Sequence, residues 1–83
     1  LWIMATNPVV SLPDNQFVKR ALERCPFVIV SDITAESDVA SYADLLLPAA
    51  GWGEKQGMVT NSERRISRQR QFQNPTGEAK SDW

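Results

Sequence analysis

Phe27-Val28-Ile29-Val30 sets an aromatic and three β-branched residues in succession, directly after Pro26 and before Ser31-Asp32. A strand apolar at every position has no face to turn toward water. It must be covered on both sides, which is the situation of a parallel sheet rather than of a solvated hairpin. Parallel neighbours need crossover connections, so the flanking sequence has to supply helices and at least one further strand.

It does. Leu1 to Ala5 is a second continuous apolar run, closed by Thr6-Asn7-Pro8, and reads as a buried strand ending in a turn. Val9 to Pro13 reads as a short irregular connection. From Asp14 the period changes: Phe17, Val18, Ala21, Leu22 and Cys25 fall at helical spacing, with Lys19, Arg20, Glu23 and Arg24 on the other face. Asp14 is the expected N-cap and Pro26 the stop. After Asp32 a second helical pattern runs through Val39, Ala43 and Leu46, with Thr34 or Ser37 as cap. Leu45-Leu46-Leu47-Pro48 can instead be a short third strand, because Pro48 disfavours a helical residue just before it. Beyond Gly51 the apolar period fades, Met58, Val59 and Ile66 stand isolated, and Asn74-Pro75-Thr76-Gly77 is a turn.

The expected fold class is therefore α/β. It is a partial Rossmann-like parallel sheet of β-α-β-α-β order, residues 1–50, followed by a loop-rich C-terminal segment, residues 51–83. At 83 residues the chain is one small domain at most, burying only ~60–65% of its unfolded surface. It opens inside an apolar run and stops at Asp82-Trp83, so it reads as a piece of something larger.

Several chemistries are excluded by inventory. With no histidine and one cysteine, a His/Cys zinc site and a Ser/Cys–His nucleophilic pair cannot be assembled. Cys25 forms no internal disulfide and suits a reducing compartment. It lies on the apolar stripe of its helix, where a small hydrophobe is expected. No apolar run approaches the ~18 residues of a transmembrane helix, and no signal-peptide pattern is present. A net charge of −1 exerts no bulk attraction on nucleic acid or anionic membrane.

Topology then selects residues. In open parallel sheets ligands sit outside the carboxyl ends of the strands. Here those ends carry Asn7 and Ser31-Asp32, 25 positions apart for Asn7 and Asp32 yet brought to one edge by parallel pairing. Asp32 can accept from ribose hydroxyls or from a guanine edge, or it can N-cap the next helix; the pattern supports ligand and cap equally. Asn7 before Pro8 is more simply a turn-former. Lys55, amid Gly51, Gly53 and Gly57, can meet a phosphate, but the spacing is not that of a P-loop and a solvated turn accounts for it as well. The run Arg64, Arg65, Arg68 and Arg70 lacks interleaved aromatics, so a structural or interdomain role outweighs a nucleic-acid patch. Trp2, Trp52 and Trp83 are most simply core or interface groups.

Six blocks then match one pattern in order and spacing. They are Asn7–Asp14, Val28–Asp32, Tyr42–Ala50, Trp52–Lys55, Thr60–Arg65 and Gly77–Trp83. Together they resemble the molybdopterin oxidoreductases of the dimethyl-sulfoxide-reductase family, nearest to assimilatory and then periplasmic nitrate reductase catalytic subunits. The resemblance implies that residues 1–83 are an internal fragment of a molybdopterin guanine dinucleotide-binding domain. Carried over by position, it implies cofactor contacts at Asn7, Ser31, Asp32, Lys55 and Asp82, and no catalytic or metal-ligating residue here. Asp32 and Asp82 would accept from nucleoside donors, Asn7 and Ser31 would orient the cofactor, and Lys55 would offset negative charge. Ala35-Glu36-Ser37 departs from the family's Thr-(Glu/Asp)-Thr, so no contact is assigned to Ser37.

The resemblance further implies nitrate as substrate, molybdenum-bis(molybdopterin guanine dinucleotide) as cofactor, and a [4Fe-4S] cluster bound outside this fragment. It also implies the remaining domains of the same polypeptide and an electron donor (ferredoxin, flavodoxin or an NADH-linked subunit) as partners, with no nucleic acid and no membrane, and a cytoplasmic location. The fragment alone is expected to be inactive. A formate dehydrogenase on the same scaffold, or a non-enzymatic nucleotide- or nucleic-acid-binding module, are the competing readings.

Overall fold

The structure, a computed structural model, describes residues 1–82; Trp83 lies outside them. The chain divides into two compact units, Leu1–Ala49 and a second from Ala50 onward.

The first unit runs β1 (Trp2–Met4), α1 (Pro8–Ser11), α2 (Asn15–Arg24), β2 (Ile29–Asp32), a 3₁₀ turn at Asp38–Tyr42, and β3 (Leu45–Pro48). The three strands form one parallel sheet in the order β1-β2-β3, as the apolar runs demand. In register, Ile3 lies beside Val30 and Val30 beside Leu46. Side chains alternate across a strand, so this row shares one face, and it packs with Val9, Leu22, Val28 and Val39 into the core. The opposite face carries Trp2, Met4, Ile29, Ser31, Leu45 and Leu47.

Asp14 caps α2 as expected: its Oδ1 accepts the Phe17 N–H at 3.1 Å. Within that helix Val18, Leu22 and Cys25 form the stripe against the core, Cys25 half-buried, whereas Phe17 stands exposed. Phe27 is also exposed and precedes the strand, because pairing begins at Ile29.

Three expectations change. Val9 to Pro13 is not wholly irregular: Pro8–Ser11 is a helical turn with Pro at its first position, where a missing N–H costs nothing. The Asn7 carbonyl closes it, accepting from Val10 N at 3.1 Å and Ser11 N at 2.9 Å. The second helical pattern yields only five 3₁₀ residues, and Leu45–Pro48 takes the strand alternative. Here the ladder offered by β2 outweighs the local period, and Pro48 closes the strand from Asp32's side of the sheet. In the second unit, Gly57–Thr60 (β4) and Ile66–Gln69 (β5) pair as an antiparallel hairpin inside the segment expected to be loop-rich. Its turn has no Asn-Gly signal. Instead Arg64 adopts a left-handed φ of 62° and Asn61 Oδ1 accepts the Arg65 N–H at 2.9 Å.

Asp44, unremarked among the acidic residues, turns out to hold β2 in place. Its Oδ2 accepts the N–H of buried Val28 at 2.7 Å, while Asp44 N and Leu45 N donate to the Val28 carbonyl. Asp44→Ala would leave that N–H unpaired, at about 1–3 kcal/mol. Amide hydrogen exchange on the protein carrying this chain should show faster exchange at Val28 and the β2 amides, with Asp44→Asn, which keeps an acceptor, far closer to the parent. Unchanged exchange in Asp44→Ala would remove Asp44 from this role.

Candidate functional site

In the first unit the carboxyl ends of the strands lie together, held by Ala5 N donating to the Ser31 carbonyl at 3.2 Å and Ala49 N to the Asp32 carbonyl at 2.9 Å. This edge carries Asn7, Ser31 and Asp32.

Asp32 closes β2 and is half-buried. It does not cap the following 3₁₀ turn, whose cap is Ser37. Its Oδ1 receives only a long bond from Thr34 N, 3.4 Å, an Asx turn. The second carboxylate oxygen has no hydrogen-bond partner among the described residues, so Asp32 retains acceptor capacity at the strand end.

Ser31 is next in the strand and therefore points to the other face. It is buried, and its hydroxyl oxygen accepts the indole N–H of Trp2 at 2.9 Å. An indole N–H only donates, so Ser31 still has its own O–H to give. Trp2 and Trp52 are exposed, which removes the core alternative and leaves the interface one, and Trp2 is tied down by its bond to Ser31. Trp83 lies outside the described residues.

Asn7 is half-buried at the β1–α1 junction. Its amide N–H donates to Asp38 Oδ2 at 3.2 Å, and its Oδ1 is buried without a partner among the described residues, as is Ser37 Oγ. Orphaned buried polar atoms are uncommon in a finished structure, and a buried acceptor of this kind is commonly completed by a water.

The second unit contains Lys55 and Asp82, and they meet. Lys55 Nζ lies 2.7 Å from Asp82 Oδ2, with side chains 23% and 30% exposed, so each remains reachable. Glu54, beside Lys55, fixes the loop. Its carboxylate accepts the Gly51 N–H at 2.7 Å, the Thr76 hydroxyl at 2.7 Å, the Thr76 N–H at 3.1 Å and Gln73 Nε2 at 3.4 Å. The Gly51 N–H, then the Thr76 hydroxyl, hold the Glu54 carboxyl below its ordinary value, against a smaller upward push from desolvation. Gln69 Nε2 adds bonds to the Trp52 and Lys55 carbonyls. Sequence reasoning missed Glu54; Glu at the third residue after Gly51 is a helix-start pattern that would have found it. Of the arginines, Arg68 donates to Gln56 across the hairpin.

The sheet edge of the first unit thus offers a free carboxylate acceptor at Asp32 beside amide and hydroxyl donors at Asn7 and Ser31. The second unit, taken by itself, offers the Lys55 ammonium paired with Asp82. Among the described residues no cluster of three or more His, Cys, Asp or Glu could hold a metal ion. No helix there is long and apolar enough to cross a membrane.

This is an α/β unit with ligand-competent groups at the carboxyl edge of a parallel sheet. The sequence model of the molybdopterin oxidoreductase family matches residues 1–83, and the chain belongs to that family. Over all 83 residues it is 61% identical to a nitrate reductase of Klebsiella oxytoca and 60% identical to one of Shewanella frigidimarina, covering 10% and 9% of those proteins. It is 48% identical to the F420-dependent formate dehydrogenase subunit alpha of Methanocaldococcus jannaschii, covering 12% of it. The chain thus spans about a tenth of the length of these curated relatives.

Proposed function

We propose that this chain is a cofactor-binding portion of a molybdenum-dependent nitrate reductase, reducing nitrate to nitrite at a bis(molybdopterin guanine dinucleotide) centre. The observation that carries the reading is identity of about 60% to nitrate reductases along the whole chain. When bound, the molybdenum centre supplies oxygen-atom transfer; the protein's part is binding, orientation and electrostatics.

Asp32 accepts from the nucleoside through its unpaired carboxylate oxygen, Asn7 and Ser31 donate to it, and Lys55 offsets phosphate charge. Asp82 either accepts from the nucleoside directly or holds Lys55 through their ion pair. The protein is cytoplasmic, carries a [4Fe-4S] cluster outside these residues, and takes electrons from a ferredoxin, flavodoxin or NADH-linked subunit. A formate dehydrogenase is the second reading, favoured by the 48% identity to the methanogen subunit. Nitrate-dependent against formate-dependent turnover of the purified protein separates them.

In the protein carrying this chain, Asp32→Ala should lower molybdenum retained per polypeptide about tenfold or more, the loss of a charge-assisted bond. Metal analysis on protein whose circular dichroism matches the parent measures this. Undiminished molybdenum would overturn the role of Asp32.

A further inference from the structure

Asn7 poses a question that its position alone does not answer: which end of its amide faces a ligand. The two ends are nearly isosteric, and their neighbours decide between them. Asp38, at the start of the 3₁₀ turn, is the neighbour, with Oδ2 3.2 Å from Asn7 Nδ2. A carboxylate only accepts. Turning the amide over would set Asn7 Oδ1 against Asp38 oxygen, two acceptors in contact. The observed orientation therefore places the NH₂ end at the exposed, Asp38 side and leaves Oδ1 buried and unpaired.

We infer that Asp38 is a positioning residue for Asn7: it holds the amide with its N–H end outward and so makes Asn7 a donor to the bound ligand. One N–H is taken by Asp38, and the other is left for the ligand. The carboxylate beside it repels a phosphate, so the acceptor is a neutral oxygen or nitrogen of a ring or sugar. This rests on the reading of Asn7 as a cofactor contact. Without Asp38 both amide orientations are populated, and the donor is lost for part of the time.

The test measures loss of molybdenum from the purified full-length protein during prolonged dialysis, for Asn7→Ala, Asp38→Ala, Asp38→Asn and the double variant Asn7→Ala/Asp38→Ala. Circular dichroism checks that each is folded. Asn7→Ala and Asp38→Ala should each speed the loss about three- to tenfold, the size of one hydrogen bond. The double variant should be no faster than Asn7→Ala, because a residue acting through another adds nothing once its target is gone. Asp38→Asn can offer Asn7 either an acceptor or a donor, so it no longer fixes the amide and should speed the loss about two- to tenfold.

Unchanged loss in Asn7→Ala sinks the cofactor contact and the inference together. If Asn7→Ala is impaired, the contact stands. Then an unaffected Asp38→Ala, an additive double variant, or an Asp38→Asn that retains molybdenum like the parent overturns the positioning role alone. Markedly tighter retention in Asp38→Asn would show that a phosphate is the acceptor.

Discussion

Val30→Asp should abolish the parallel-sheet unit. Val30 is fully buried in the central strand, between Ile3 on one side and Leu46 on the other. Its row faces Val9, Leu22, Val28 and Val39, all apolar, so a carboxylate there has no donor to meet. An unpaired buried charge costs several kcal/mol even after relaxation, against a whole-domain stability of only about 5–15 kcal/mol. Val30→Ala calibrates the result: it removes two carbons and leaves a small cavity, at about 1.5–3 kcal/mol. In the intact protein, hydrogen exchange should show protection lost across β1, α2, β2 and β3 in Val30→Asp and only partly weakened in Val30→Ala. Parent-like protection in Val30→Asp would mean that the core is not organised around this strand.

Glu54→Ala should release the loop that carries Lys55. Four donors converge on one carboxylate, from Gly51, Thr76 twice, and Gln73. Glu54→Gln is not a mild change. Oε2 serves Gly51 while Oε1 serves Thr76 and Gln73, so an amide must turn its NH₂ toward one set of donors.

The same geometry sets a pH dependence. The folded pKa lies below the ordinary 4.5, so the folded state binds the ionised form more strongly. The stabilisation is complete above that value and fades as pH falls through the lowered folded pKa. Exchange rates at the Gly51 and Thr76 amides, corrected for intrinsic pH dependence, should rise through that window in the parent. Glu54→Gln should exchange rapidly throughout, with no such step. A parent with no acid-induced step would sink the assignment.

These residues differ in how far they could be read in advance. α2 was legible because every signal was local: Asp14 at the cap, apolar residues at helical spacing, Pro26 beyond the end. β1 and β2 were legible because an all-apolar run has few places to go. The helical turn at Pro8 was missed because Asn-Pro serves a turn and a helix start equally well. β3 was ambiguous because Leu45 to Leu47 satisfies either period, and only the neighbouring strand breaks the tie. The hairpin of β4 and β5 escaped because its turn relies on Asn61's side chain and on an arginine with positive φ.

The candidate site divides in the same way. Asn7 and Asp32 could be placed at one edge from chain order, since parallel strands align their carboxyl ends. Their partners could not. Asp38 lies 31 residues from Asn7, Trp2 lies 29 from Ser31, and Asp82 lies 27 from Lys55. By itself the sequence determined the α/β class, the parallel sheet and the strand ends, because periodicity and burial act over a few neighbouring residues. Tertiary structure alone decided which acceptor faces which donor, because a hydrogen bond depends on ångström-scale placement of groups that the chain brings together only on folding.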